Sequence, residues 1–390
     1  MLETHVFHLL MTVVMTLKPC RFVLANEQEK MQEIHSDVSL SSQRRQYTLR
    51  PVSARQCEQW DSFVNGHPNG HLLQSWGWGE IKAGAGWYPL RLALWDEARR
   101  EIVAAAQVLR RTGARVPVWM GHLAYIPKGP VVDWTQAPLC DALFSQLNRY
   151  LSHQGALALR LEPDKEIGTT EGELAVKRLE ALHLHPARTI QPLRTIVLDL
   201  APDENTLLAQ MKEKWRYNVR LAGRKGVTVR AAETLDDLRA WYTLLEATSE
   251  RDEFGIHTLE YYLRIWNLFV PRKQARLFLA EYDGQLLAGI FVGLFAQQAI
   301  YLYGASSNEQ RQLMPNHLLQ WEAIRWAKQE GAKLYDFWGI PDTDAEEEAM
   351  AGVYRFKRGW GGRVVQFLGC YEYTYRPLAM KLASRFINRL

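Results

Sequence analysis

The sequence predicts a mixed α/β (α+β) protein in which one folding unit occurs twice. Three observations carry that reading. At 390 residues and 45.0 kDa the chain exceeds the usual reach of one hydrophobic core. Its 47% hydrophobic and 23% charged residues are those of a globular protein. Finally, a strand-rich stretch followed by a helix and one more strand appears in the first half and returns, in the same order, in the second.

From Tyr47 the periodicities read as a strand, a helix around Ala54 to Asn65, and strands at Pro89 to Trp95 and Glu101 to Arg111. A further strand is expected near Trp119 to Tyr125, then a helix from Gln136 to His153 and a strand at Leu157 to Glu162. In the second half, strands at Ala275 to Tyr282, Leu286 to Phe295 and Ala299 to Ala305 precede a helix from Pro315 to Glu330. Gly331 closes that helix in the C′ position, and Lys333 to Trp338 reads as a strand. Between the halves, Asp203 caps a helix expected over Leu207 to Gly223, whose Leu208, Met211, Trp215, Val219 and Ala222 fall at spacings of three and four. Helices Leu235 to Glu250 and Leu259 to Phe269 follow.

Three antiparallel strands, a helix and a parallel strand form the core of the acetyltransferase-like (GNAT) fold, so two such domains in tandem are expected. The divisions are residues 1–46, an N-terminal extension of poor order; 47–192, a first domain that residues 365–390 would complete; and 193–364, a second domain. Within the extension Val6 to Leu17 is apolar, but Glu3 precedes it and Lys18, Pro19 and Arg21 follow, which suits neither a secretory leader nor a spanning helix. Met31 is an alternative start.

Cys20, Cys57, Cys140 and Cys370 are scattered and make no CxxC pair, which speaks against a zinc ribbon or disulfide framework and for a reducing compartment. A net charge of +4 permits an anionic partner without locating it. Acetyl-CoA chemistry is disfavoured. The loop before the main helix, Arg311-Gln312-Leu313-Met314-Pro315-Asn316, fills the small positions a pyrophosphate cradle needs, and Pro315 brings no N–H. Ile126-Pro127-Lys128-Gly129-Pro130 in the first half is no better.

Several separated segments carry chemistry. Gln74-Ser75-Trp76-x-Trp78-x-x-x-Lys82 ends on a lysine suited to phosphate, or to snorkelling beside tryptophans. Tyr125-Ile126-Pro127-Lys128-Gly129-Pro130-Val131 is answered by Leu161-Glu162-Pro163. Between Met211 and Lys225 six basic residues face one acid, and Lys212, Arg216 and Arg220 repeat at i, i+4, a stripe fit for RNA phosphates or a solvated helix face. Then come Glu250-Arg251-Asp252-Glu253-Phe254-Gly255-Ile256-His257-x-x-x-Tyr261-Tyr262 and Tyr301-Leu302-Tyr303-Gly304-Ala305. The last is Pro315-Asn316-His317 with Tyr354-x-Phe356-Lys357-x-Gly359-Trp360-Gly361-Gly362, whose glycines are costly in backbone entropy and hard to justify by packing alone.

Together these segments, from about Tyr47 to Tyr373, resemble the Fem family of peptidoglycan aminoacyltransferases, in its short FemX-like form without a coiled-coil arm. The resemblance implies transfer of an amino acid from aminoacyl-tRNA to the stem-peptide amine of UDP-MurNAc-pentapeptide or lipid II, with no cofactor and no metal. It implies catalytic roles for Lys357 and Phe356, and precursor binding by Lys82, Tyr261, Tyr303 and Glu162, the last an aspartate in many relatives. His257 stands where relatives commonly carry arginine, so either its cation or the neighbouring Arg251 would hold the precursor's diphosphate. Lys212, Arg216 and Arg220 would bind the tRNA. A cytoplasmic monomer is implied, with possible peripheral association at the inner face of the membrane. Two alternatives stay open: a Fem-like precursor-binding protein of envelope polysaccharide assembly, and a small-molecule N-acetyltransferase.

Overall fold

The computed structural model describes residues 46–112, 121–343 and 351–387, with side chains described as far as Leu382. The expected N-terminal extension and Met31 lie outside these residues. Strand β1 (Tyr47–Pro51) leads through a 3-10 turn into α1 (Cys57–Gly66) and α2 (Trp76–Ala83), which Ser75 caps by accepting from the Trp78 amide. Strands β2 (Tyr88–Asp96), β3 (Glu101–Arg111) and β4 (His122–Ile126), helix α3 (Ala137–His153) and β5 (Ala156–Leu161) complete the first repeat. Trp119, the expected start of β4, is outside the described residues. Next come α4 (Thr170–Ala181), β6 (His185–Ala187), β7 (Arg194–Asp199), α5 (Glu204–Gln210), α6 (Glu213–Arg224) and β8 (Thr228–Ala231). The second repeat runs α7 (Leu235–Asp252), α8 (Leu259–Phe269), β9 (Ala275–Tyr282), β10 (Gln285–Phe295), β11 (Gln298–Ser306), α9 (Pro315–Gln329) and β12 (Leu334–Ile340). Helix α10 (Ala351–Arg358), β13 (Arg363–Gln366), β14 (Cys370–Thr374) and α11 (Pro377–Ile387) follow.

The helix expected over Leu207 to Gly223 is in fact two. Asp203 does cap, accepting from the Thr206 amide, but α5 stops at Gln210, and Met211 is extended at φ −66°, ψ 152°. The apolar stripe survives the break: Met211, Val219 and Ala222 are buried in one core, and Leu208 and Trp215 pack against it. What ends the helix is tertiary: the Lys212 amide donates to the carbonyl of Gly359 at 2.9 Å instead of to a helical partner.

The strands form two seven-stranded sheets, ordered β1-β2-β3-β4-β5-β14-β6 and β13-β7-β12-β11-β10-β9-β8. Strand β14 returns from the C-terminal end of the chain to pair antiparallel with β5. In both sheets the strand after the long helix pairs parallel to the meander's last strand, the acetyltransferase-like pattern twice over. An apolar cluster joins the two halves: Trp60, Leu72 and Trp78 from the first pack with Trp241, Tyr262 and Phe291 from the second.

The two parallel pairs differ in one respect that makes room for a site. Strands β4 and β5 stay paired from His122 to Ile126, with one register shift between His122 and Leu123. Strands β11 and β12 pair only at Gln298, Ala299 and Ile300, opposite Leu334, Tyr335 and Asp336, and then separate. The first sheet is therefore closed at this point and the second splays open.

Candidate active site

The opening beyond Ile300 and Asp336 is a cleft of about 720 Å³ lined by Tyr301, Ser306, Asn316 and Gln320, with Phe356 and Lys357 among the remaining walls. Lys357 is buried on α10 and its Nζ donates to the carbonyls of Gly339 at 2.8 Å and Trp338 at 3.3 Å. Those carbonyls are available because the pairing of β12 with β7 slips between Asp336 and Gly339, where Trp338 takes a left-handed φ of 62°. Asp336 stabilises the irregular turn by accepting from the Trp338 amide at 2.7 Å and from the Thr195 hydroxyl. Burial lowers the Lys357 pKa to about 8, with Asp336 pulling it back up. At neutral pH the group is therefore still mainly a cation, and it lies 5.5 Å from the centre of the Tyr301 ring. A buried ammonium with carbonyl anchors behind it and a cleft in front can stabilise negative charge on a reacting oxygen.

A second group of polar side chains gathers from three distant stretches of sequence. Lys82, at the end of α2, donates to the Tyr261 hydroxyl at 3.1 Å, and that hydroxyl lies 3.2 Å from the hydroxyl of Tyr303. His257 stacks on the Tyr261 ring at a centroid distance of 3.8 Å. Burial lowers the Lys82 pKa to about 8. His257 is shifted below its ordinary value by desolvation of its stacked face and by the Lys82 charge, although much of the residue faces solvent. The close approach of α2 to α8 needs Gly77, where a Cβ would come within 2.3 Å of the Phe269 ring.

A bulge in the β10–β11 ladder sets these two groups on different faces of the second sheet. Phe291 pairs with Tyr303 and Val292 with Tyr301, so Leu302 is the extra residue. Tyr301 consequently packs with the core beneath α9, and Tyr303 with the core shared between the halves. The cleft takes wall residues from both cores, Ile290 from one and Ala305 from the other.

Of the residues singled out in sequence, Lys82, His257, Tyr261 and Tyr303 come together, and Phe356 and Lys357 share the cleft. Arg251 is not with the first group. It is bidentate to Asp252, at 2.7 Å for each bond, and donates to the Ser306 carbonyl, so it braces the cleft's rim. The Glu162 carboxylate accepts from the Tyr125 hydroxyl and from the Ile190 and Gln191 amides, tying the end of β5 to the connection between the halves. Lys212, just before α6, and Arg220 on it are exposed, but Arg216 donates to the carbonyls of Ala209, at 3.0 Å, and Met211, terminating α5. The exposed face of α6 instead carries Lys214, Tyr217, Arg220 and Arg224. Lys214 and Arg220 form no ion pair among the described residues, whereas Arg230, Arg239, Arg325 and Arg363 elsewhere are each matched by an acid.

The glycines around Lys357 do have a packing reason, contrary to the sequence expectation. A Cβ on Gly359 would lie 2.1 Å from the Trp215 indole, Gly361 has φ 89° against the Gln210 carbonyl, and a Cβ on Gly362 would lie 2.7 Å from Ile196. Residues that sequence reasoning passed over are Tyr301 in the cleft wall, Trp215 and His317 against Phe356, and the Lys128–Asp164 pair at 3.1 Å, whose lysine is buried. All but Asp164 stand inside motif segments or the apolar stripe, so the signal was present without a role attached.

The FemAB family model matches residues 56–286 and 273–387. The chain is 26% identical to the lipid II:glycine glycyltransferase of Staphylococcus aureus strain USA300, over 85% of this chain and 95% of that one. The crystal structure of FemX superposes with a TM-score of 0.79 at 25% identity, covering 86% of this chain and 99% of that one. A tandem GNAT protein from the clavulanic acid biosynthesis pathway shares the fold, with a TM-score of 0.50 at 13% identity over 85% and 99% of the two chains. Among the described residues no helix is long and apolar enough to cross a membrane. With the family model spanning nearly all of the described residues and the motif side chains grouped at the splayed sheet, the chain belongs to the FemAB family.

Proposed function

We propose that this protein is an aminoacyltransferase that moves an amino acid from aminoacyl-tRNA to the stem-peptide amine of a peptidoglycan precursor, using neither cofactor nor metal. The observation that carries the reading is the buried Lys357 ammonium facing a cleft in the splayed second sheet, in a chain of this family. The acyl ester is already activated, so the protein has to align the amine with the carbonyl carbon and stabilise the oxyanion. The amine nitrogen attacks that carbon, the carbonyl oxygen gathers charge beside Lys357, and the carbon–oxygen bond to the ribose breaks. The amine's proton leaves with the ribose oxygen. Lys82, Tyr261, Tyr303 and His257 offer hydrogen bonds and charge to the precursor's diphosphate. The basic face of α6 offers phosphate contacts to the tRNA.

The acceptor is a lipid-linked precursor in this reading, because the Staphylococcus aureus relative named above is a lipid II:glycine glycyltransferase; the UDP-linked form is the other arm of the test. The protein would then work as a monomer on the cytoplasmic side, peripherally at the membrane face. Labelled amino acids charged on tRNA, offered with lipid II and separately with UDP-MurNAc-pentapeptide, and products identified by mass, test it. Product with neither acceptor would overturn the reading.

A further inference from the structure

The geometry points to Trp215 as a positioning residue: it fastens the basic helix α6 to the end of α10 and so fixes where the Lys357 ammonium points. The inference rests on the transferase reading above. Trp215 is not itself among the residues lining the cleft, whereas Phe356 and Lys357 are.

Six contacts converge on this joint. The Trp215 indole N–H donates to the Phe356 carbonyl at 3.0 Å, an acceptor in the last turn of α10 that also takes the Gly359 amide at 3.3 Å. The Lys212 amide, one turn earlier on the same segment, donates to the Gly359 carbonyl at 2.9 Å. The indole lies directly on Gly359, whose missing side chain leaves the room. His317, at the start of α9, presents edge-to-face geometry to both Trp215 and Phe356, with centroids 5.4 Å apart in each case. Asn218, one turn further along α6, lies 3.2 Å from His317 Nε2. Burial, with the Lys214 charge adding to it, lowers the His317 pKa to about 4, so the ring is neutral and its Nε2 can accept from the Asn218 amide.

Lys357 is the residue directly after Phe356, so the carbonyl that Trp215 holds belongs to the peptide unit from which Lys357 extends. Its ammonium has two carbonyl anchors on β12, which set its far end, and the indole sets its near end. Releasing the near end lets the chain swing and admits water, and misplacing a reacting group by about 1 Å can cost roughly 100-fold in rate.

Trp215→Phe keeps an aromatic ring and removes the N–H. It should lower kcat by about 10-fold or more while KM for precursor stays within about twofold, since the Lys82 group is not touched. It should also move the pH limb that reports Lys357 upward from about 8 towards the ordinary lysine value, because the ammonium is rehydrated. Gly359→Ala drives a methyl against the indole from the other side and should give the same two changes. Combining it with Trp215→Phe, whose shorter ring makes room, should recover part of the loss relative to Gly359→Ala alone. Unchanged precursor affinity in each variant checks that it is folded. If wild-type protein transfers nothing from charged tRNA, the transferase reading fails, and the Lys357 titration followed by NMR of labelled lysine still tests the joint. A Lys357 titration and kcat that match wild type in both single variants would overturn the inference.

Discussion

Lys82 and Tyr261 meet at 3.1 Å although they lie on helices from different halves of the chain, and the Tyr261 hydroxyl passes the contact on to Tyr303. Burial costs Lys82 part of its charge stability, and no acid among the described residues forms a salt bridge to it. A cation held in that state gains most from an incoming anion. Lys82→Gln should weaken precursor binding by about 10-fold or more, the usual value of a charge-assisted hydrogen bond to phosphate, with the melting temperature unchanged or raised. Titration calorimetry with UDP-MurNAc-pentapeptide checks it, and an affinity equal to wild type would remove Lys82 from the precursor site.

Removal of the Lys357 amine should separate binding from chemistry. Lys357→Ala is expected to lower kcat by about 100-fold or more at unchanged precursor affinity, since the charge is needed when the oxyanion forms. The sign of the pH effect follows from the lowered pKa: the cation is present below about 8 and lost above it, so the oxyanion role requires a rate limb that falls there. Single-turnover rates from pH 6 to 9.5 decide this. A limb that rises through 8 and vanishes in Lys357→Ala would assign the neutral amine as a base instead.

The face of α6 offers a test of the RNA reading that avoids damage to the fold. Arg216 caps α5, so reversing it would disturb structure as well as charge. Lys214→Glu, Arg220→Glu and Arg224→Glu together should raise KM for charged tRNA and reduce the log–log salt slope by about 2 to 3, with roughly 0.7 to 0.9 lost for each phosphate contact. Tyr217, 55% exposed among these cations, should add to the loss when changed to alanine and not when changed to phenylalanine. A salt slope equal to wild type in the triple variant would return the helix to an ordinary solvated face.

Much of this architecture is legible in the sequence, and the exceptions share one cause. Strand β9 and helix α8 begin and end where local patterning puts them, because alternation and 3.6-residue spacing are local signals. The motif segments also identify side chains that meet around the cleft and around Tyr261. What local patterning misses is set by partners far along the chain. The break at Met211 depends on the Gly359 carbonyl, the need for Gly359 on the Trp215 indole, and the release of the Trp338 and Gly339 carbonyls on the slip of β12 against β7. Arg216 reads as one of three equivalent cations until the end of α5 is seen to need donors.

The packing reason found for the glycines predicts their energetics. Gly361→Ala places a side chain at φ 89° with its Cβ 2.7 Å from the Gln210 carbonyl, so both backbone strain and overlap oppose it. A loss of about 1 to 3 kcal/mol is expected, read as a lowered denaturation midpoint at unchanged m-value. Gly352→Ala, in open space on α10, should be neutral or slightly stabilising by comparison. Equal midpoints for the two variants would show that the segment tolerates side chains and that its glycines serve something other than packing.

His257 provides the sharpest test of how the diphosphate is held, because its chemistry differs from that of Lys82. In the free protein its pKa is depressed, by desolvation of the face stacked on Tyr261 and then by the Lys82 charge, so the ring is mainly neutral at pH 7. A bound diphosphate favours the protonated form and raises that pKa, so binding draws in a proton. Affinity then belongs to the acidic side: it is highest where the free ring is already charged and falls as pH rises through the bound-state value. Lys82 contributes a separate decline only near and above its own pKa of about 8. Wild-type protein should therefore show two steps between pH 5.5 and 9. His257→Arg should remove the first and strengthen binding at neutral pH, since a guanidinium stays charged throughout. His257→Gln should remove the first step without that gain. A binding curve flat from pH 5.5 to 7.5 in wild type, and unaltered in His257→Arg, would show that the imidazole only supports the Tyr261 ring and that Lys82 holds the phosphates without it.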